Sequence, residues 1–331
     1  MNTQEKILVS GHLPPPVTGE NLCRLQLEKV LRVQDWAVIS RRTFHLGNLL
    51  VPGRVVWLLA GRSRVGHLRD SFMLCVWRLL GYRVFIYVHN QSWRYFLNRA
   101  QVWRIISSRA ISWVVLTDEI AEVLAGSGLT VHRLDNTLVE GDEPGVAANR
   151  VTPAIRRLVW MGAVTADKGF PKACRVFEQL RQGNSDWRFD VYGTGPLAGD
   201  GRSSPGLVFH GFVDAAAKES AWREGGILIL PSSYVNETQP LAIIEALAYG
   251  LPFVASPIGG IPAMRGDVDN PAGCALAVEE DDARWAEVIE GVLKDYARWS
   301  AAAQVTYRRR FSRGAYAEGV AAIMAGVSAA I

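Results

Sequence analysis

Cysteine is scarce in this sequence. Cys23, Cys75, Cys174 and Cys274 lie far apart and form no CxxC pair, which argues against a disulfide framework or a cysteine-based zinc site. Lysine is scarcer than the basic total implies, with only six among 36 basic residues. Long apolar runs are missing too. The longest uncharged stretch, residues 246–264, is interrupted by Pro252, Pro257 and Pro262, and it reads as helix end, strand and loop rather than a membrane span. The apolar stretch at the N-terminus is too short for a signal peptide and runs into prolines. Walker A, GxSxG and HExxH patterns are absent, which removes the main support for a P-loop, serine-hydrolase or zincin reading. The expectation is a cytoplasmic protein that can still touch a membrane surface.

What is present is a chain of 331 residues, 49% apolar and 21% charged, long enough for two domains with large cores. Charge is uneven. Residues 1–150 carry 18 basic and 12 acidic side chains, whereas the remainder is slightly acidic. Within 62–112 there are nine arginines and one acid, Asp70, and residues 93–109 interleave Arg and Trp at near-helical spacing. Such a face suits an anionic lipid surface; solvated arginines on a core helix are the plainer alternative, and nucleic acid is the weakest reading.

Short apolar runs alternate with amphipathic stretches. Strands are expected at 6–9, 84–88 and 114–116, with helices at 19–33, 93–109 and from Thr117 or Asp118 to Gly126. Residues 140–153 are polar and Pro/Gly-rich, as in an interdomain linker. The pattern restarts with strands at 157–161, 189–192, 227–230 and 253–255 and helices at 168–182, 214–224, 239–249 and 281–294. Alternation of this kind implies parallel sheets covered on both faces. The expected fold class is therefore α/β: an N-terminal Rossmann-like domain over 1–150, a C-terminal one over 151–307, and ligand sites in a cleft at the carboxyl ends of the strands.

The segment Asn236 to Pro252 carries the strongest chemistry. It follows a buried strand, Thr238 is placed to cap a helix, and Pro240 falls in the first turn, where its missing N–H is harmless. The free N–H groups of Leu241 and Ala242, with the helix dipole, suit a diphosphate. Glu237 and Glu245 stand eight residues apart, too far for one dyad but suited to the hydroxyls of an extended ligand. From spacing alone, an ordinary capped helix with two unrelated glutamates reads equally well. Lys168, in the Met161–Gly169 loop, is a point charge for phosphate or a solvated loop residue. Gly193, in Val191–Pro196, would let a ligand approach the backbone. The Pro14–Gly19 loop and His89, after a strand, are further contacts for phosphate or sugar. Asp267-Val268-Asp269 is a DxD that follows a glycine-rich loop, which weakens any metal role, so no metal is assigned.

Taken as a set, these segments resemble glycosyltransferase family four, the retaining nucleotide-sugar-dependent enzymes of GT-B fold. The resemblance rests on PPPVTG, the strand ending in His89, GAVTADKG, VYGTGPL, ETQPLAIIEALAYGLP and SPIGGIP. It implies a hexosyltransferase with catalytic His89, Glu237 and Lys168. Gly19, Lys168, Gly193, Thr238, Leu241 and Ala242 would contact the donor, with Glu237 on the sugar and Glu245 on the ribose. It further implies a nucleotide-diphosphate sugar as co-substrate with no cofactor or metal, and a saccharide or lipid-linked acceptor of cell-envelope or exopolysaccharide synthesis. Residues 308–331 would return to the first domain. The chain departs from the family at Ala163, where Arg is usual, at Ala263, where Glu is frequent, and at Pro240, where Gly is usual. Ala163 keeps open a non-catalytic binding or scaffold subunit, and a sugar-nucleotide epimerase of the same fold is a further alternative.

Overall fold

The computed structural model describes residues 6–11, 19–42, 55–60, 64–89, 110–139, 155–199 and 204–328. The expected helix 93–109, the linker 140–153 and the proline loop 13–18 lie outside them. The chain forms two compact units, Met1–Val139 with Arg313–Ile331, and Glu140–Ser312. The seams therefore differ from the expected 150 and 307. Tyr307 and Phe311, in a π-helical turn, are buried, so the second unit runs on to Ser312.

In the first unit, β1 (Lys6–Gly11), β2 (Ala37–Arg42), β3 (Val55–Leu59), β4 (Arg83–Val88), β5 (Ile111–Val115) and β6 (Thr130–Arg133) pair in parallel in the order β2-β1-β3-β4-β5-β6. Successive side chains of a strand face opposite sides, and the apolar runs fill both. Leu8, Val56, Leu58, Val84 and Ile86 pack with Met73, Leu74 and Trp77 of the helix Arg64–Leu79. Ile7, Val9, Trp57, Phe85 and Tyr87 pack on the other side with Tyr316, Val320 and Ile323 of the C-terminal helix Arg313–Ser328. The strands β2, β3 and β6 and the helix Arg64–Leu79 have no counterpart in the sequence expectations. β2 and β6 are half-exposed edges with mixed residues, and a five-residue apolar run such as β3 has no diagnostic period.

In the second unit, β7 (Arg157–Met161), β8 (Arg188–Tyr192), β9 (Leu207–Gly211), β10 (Ile227–Leu230), β11 (Phe253–Ala255) and β12 (Gly273–Ala275) are also parallel, in the order β12-β11-β10-β7-β8-β9. The chain moves outward from β7 to β9, then returns to lay β10 beside β7. That reversal is a topological switch, and ligands of open α/β sheets bind beyond the carboxyl ends of the strands that flank it.

A buried charge network starts at the first residue of β7 and crosses β8 to β9. Arg157, 1% exposed, pairs with Asp190 and donates to the carbonyls of Ala221 and Gly225 at 2.8 and 2.7 Å. His210 Nε2 lies 2.8 Å from the other Asp190 oxygen, and the Tyr192 hydroxyl accepts from Arg157 at 2.8 Å. Burial works to raise the Asp190 carboxyl, but hydrogen bonds from Arg157 and His210 and the nearby guanidiniums outweigh it, and the net shift is downward. A carboxyl depressed in the folded state contributes stability in full above its unfolded value, about pH 4, and loses it as pH falls through the lower folded value. Asp190→Asn leaves Arg157 with the half-exposed Glu224, at 3.2 Å, as its remaining counter-charge, and is expected to cost up to about 3–5 kcal/mol at pH 7, read from urea unfolding midpoints. The variant should also lose part of the acid-limb slope below about pH 4; an unchanged slope would contradict this placement.

Candidate active site

The two loops that follow β7 and β10 hold the residues of interest. Residues 166–169 form a turn, and the helix Phe170–Gly183 starts after an N-cap at Gly169. Lys168 therefore precedes the helix rather than opening it. Gly169 has φ 84°, and a Cβ there would lie 1.8 Å from the carbonyl oxygen of Pro231, which follows β10. Only glycine fits both the conformation and the approach. Ser233 N–H donates to the Asp167 carbonyl at 2.9 Å, and the Thr165 hydroxyl donates to the Asp167 carboxylate. The loops are thus latched to each other beside Lys168.

That latch brings Lys168 and Glu237 into an ion pair, with the ammonium also 4.8 Å from the centre of the Tyr234 ring. The Glu237 side chain is 9% exposed and that of Lys168 25%, so the pair is shielded yet reachable. The SPIGG loop after β11 closes the other side. Gly259 has φ 53°, a Cβ there would meet the Glu237 carbonyl oxygen at 1.8 Å, and Gly260 N–H donates to the Thr238 carbonyl at 2.6 Å.

The following helix runs Leu241–Ala248, shorter than the expected 239–249. Its N-cap is Pro240 and not Thr238, which is buried with its carbonyl engaged by Gly260. The reason is steric. A proline disfavours helical geometry in the residue before it, so Gln239 does not open the helix and Thr238 does not cap it. Pro240 offers no side-chain cap, and the first helical N–H bonded to the Pro240 carbonyl is that of Ile243, at 3.1 Å. Leu241 and Ala242 are half-buried, while Ile243 to Ala248 are buried. The positive end of the helix is its open end, which an anion can neutralise.

Glu245 is buried in this helix and pairs with Lys218 at 2.9 Å. Lys218, in the helix Ala215–Arg223 after β9, was missed from sequence. One signal was available: with only six lysines in the chain, Lys168, Lys172 and Lys218 each serve as one half of an ion pair in this unit. Gly193 has φ 141°, and its Cβ position lies 1.8 Å from the Gly162 carbonyl oxygen. Close approach of the chain's own β7 loop already requires glycine here. Ala163 is exposed, and the exposed Arg265 donates to the Pro262 carbonyl of its own turn at 3.2 Å.

Gly19 opens the helix Gly19–Val33 of the first unit, and His89 follows β4 with its ring 4.0 Å from that of Tyr87. Asp267 and Asp269 form a local turn, Asp269 N–H donating to the Asp267 carboxylate at 3.0 Å. Among the described residues no group of three or more His, Cys, Asp or Glu is arranged to hold a metal.

Residues 155–295 match the family model described as Glycosyl transferases group 1. An exopolysaccharide phosphotransferase of Streptomyces coelicolor is 29% identical over 160 residues, which cover 45% of this chain and 16% of that protein's length. Among solved structures, sucrose-phosphate synthase from Thermosynechococcus elongatus superposes with a TM-score of 0.70 at 16% identity, covering 99% of this chain and all of that one. Anabaena HepE in complex with UDP gives 0.69 at 12% identity over 98% of this chain and all of that one. HepE with UDP-glucose gives 0.65 at 13% identity over 97% and 99%. The fold of this chain, two parallel-sheet Rossmann-like halves, is that of GT-B glycosyltransferase structures.

Gly169→Ala is expected to lower the unfolding free energy by at least about 1–3 kcal/mol from backbone strain alone, more with the overlap on Pro231. Gly291→Ala, in an open helical position of the same unit with nothing within 4 Å, should instead add about 0.5–1 kcal/mol. Equal denaturation midpoints for the two variants would refute the latch.

Proposed function

We propose that the protein is a retaining glycosyltransferase that moves a hexosyl group from a nucleoside-diphosphate sugar to a hydroxyl of a saccharide or lipid-linked acceptor. The observation that carries the reading is the Lys168–Glu237 pair, set at the carboxyl ends of the switch strands beside a helix start without a side-chain cap. The match of residues 155–295 to a glycosyltransferase family model supports it, as do solved neighbours in complex with UDP and UDP-glucose.

In this reading the donor diphosphate takes the ammonium of Lys168 and the N–H groups of Leu241 and Ala242. Glu237, released from Lys168, accepts hydrogen bonds from sugar hydroxyls, and Glu245, oriented by Lys218, does so from the ribose. The bond between C1 of the sugar and the phosphate oxygen breaks, and a bond from C1 to the acceptor oxygen forms on the same face. The acceptor proton passes to a phosphate oxygen of the leaving diphosphate. Charge that grows on the diphosphate is met by Lys168 and the helix dipole, which act before any reorganisation of water. No metal or cofactor is required by this scheme. Gly19 and His89 keep the roles that the family resemblance implies, and the reaction belongs to exopolysaccharide or envelope synthesis on the cytoplasmic side. The exopolysaccharide name of the curated relative supports that setting.

The test is turnover of nucleotide sugars in EDTA with product analysis. Lys168→Ala should reduce transfer about 10²–10³-fold while thermal unfolding stays near that of the wild type. Unchanged turnover would remove Lys168 from the mechanism. Donor binding by the wild type without any product would favour a non-catalytic binding subunit, and a new nucleotide sugar formed from donor alone would favour an epimerase.

A further inference from the structure

Among the described residues the Lys168 ammonium has a second partner besides Glu237. It stands over the ring of Tyr234, 4.8 Å from the ring centre. An ammonium within about 6 Å of a ring centre is attracted by the electron-rich face. The ring and the carboxylate reach one ammonium because of a turn. Glu237 N–H donates to the Tyr234 carbonyl at 2.9 Å, so residues 234–237 form a β-turn with Val235 and Asn236 at its tip. The first and last residues of such a turn are neighbours, and here both face Lys168. The turn is fixed to the lysine loop by its backbone. Tyr234 N–H donates to the Ser232 hydroxyl at 3.2 Å, and that hydroxyl donates to the Asp167 carbonyl at 3.4 Å. Ser233 N–H donates to the same carbonyl at 2.9 Å. Asp167 directly precedes the lysine, so one hydrogen-bonded frame sets the ring, the carboxylate and the ammonium. Tyr234 is half-buried and Val235 and Asn236 are exposed, so the ring is not a core side chain.

The two partners hold the ammonium in different ways. Glu237 cancels its charge, and the ring does not. In the proposed function Glu237 turns to sugar hydroxyls while the ammonium meets the diphosphate. A lysine released from its carboxylate regains the rotamers of a flexible four-carbon stem, and ordering it again opposes ligand binding. A second carboxylate would hold it in place but would also neutralise the charge that the diphosphate needs. A tyrosine ring attracts the ammonium through its quadrupole and leaves the positive charge whole. That attraction is stronger where the cation is partly withdrawn from water, and the Lys168 side chain is only 25% exposed.

We infer that Tyr234 is a positioning residue for Lys168: its ring keeps the ammonium in place when Glu237 is taken by the sugar, and so presents an ordered, uncancelled charge to the donor diphosphate. The inference rests on the donor site of the proposed function and adds to it a residue that acts through the lysine rather than on the ligand. The ring face carries the role and the hydroxyl takes no part, so phenylalanine can stand in for tyrosine and an aliphatic side chain cannot.

The test is calorimetric titration of the full chain with UDP, GDP and ADP. It compares wild type with Tyr234→Leu and Tyr234→Phe, and Lys168→Met with Lys168→Met/Tyr234→Leu. For a nucleotide that binds the wild type, Tyr234→Leu should raise the dissociation constant about 3–30-fold. Tyr234→Phe should raise it less than about threefold. In the Lys168→Met background no ammonium is left to hold, and adding Tyr234→Leu should change the constant less than about twofold. Damage to packing by leucine would persist in that background, so the cycle separates it from loss of the ring–ammonium contact. Three results would overturn the inference: a constant unchanged by Tyr234→Leu, a loss in Tyr234→Phe equal to that in Tyr234→Leu, or the same loss from Tyr234→Leu with and without the ammonium. The last would make the ring a packing residue or a direct contact of the ligand. A wild type that binds and is weakened by Lys168→Met upholds the diphosphate site whatever Tyr234 does, whereas a wild type that binds none of the three nucleotides removes both.

Discussion

The ion pair between Lys168 and Glu237 is the contact on which the reading of the second unit depends, and two carbonyl groups decide whether it forms. The Pro231 carbonyl occupies the space a side chain at residue 169 would need, and the Glu237 carbonyl occupies the space a side chain at residue 259 would need. Glycine at both places lets the loops after β7, β10 and β11 come together around one ammonium and one carboxylate. The parallel sheet supplies the reason these loops meet at all. β7 and β10 are neighbours although about 65 residues separate them in sequence. A pair so held is neutral as a whole. Its halves can part to meet a ligand that is anionic at one end and rich in hydroxyls at the other, which is the chemical description of a nucleoside-diphosphate sugar.

The unit separates its charges by task. Between β7 and β8, Arg157 and Asp190 are buried and satisfied by carbonyls, a tyrosine and a histidine, with Arg188 and Glu224 at the exposed edge, so breaking that network is destabilising. At the carboxyl ends, Lys168 and Lys218 keep about a fifth to a quarter of their surface exposed and each holds a glutamate in place. The buried network therefore sits within the sheet and the exchangeable pairs in the loops and helices beyond its strands. This is the usual way for a scaffold to hold reactive side chains without building them on a loose core.

Much of the second unit was legible in the chain because its signals are local. Apolar runs bounded by turn residues mark β7, β8, β10 and β11, and a lysine after a strand and a glutamate before a helix read directly as candidates. What was missed depends on distant contacts or on a competing local rule. Lys218 has meaning only beside Glu245, 27 residues on. Gly193 reads in sequence as an opening for a ligand, and the approach of the Gly162 carbonyl, which also requires glycine there, has no local signal. The capping preference of Thr238 lost to the constraint that Pro240 imposes on the residue before it. In the first unit, the helix Arg64–Leu79 escaped because it is apolar on both sides and so lacks the one-sided period by which a surface helix is recognised.

The central claim is that a diphosphate binds at Lys168 and the start of the helix Leu241–Ala248. Amide hydrogen exchange of the full chain in EDTA, with and without a panel of UDP, GDP and ADP, tests it most directly, because exchange reads the very N–H groups assigned to the ligand. The account predicts that at least one nucleotide slows exchange in 165–170 and 237–245, with Leu241 and Ala242 among the protected amides. Protection that falls elsewhere, or that never appears in those two segments with any of the three, would contradict it.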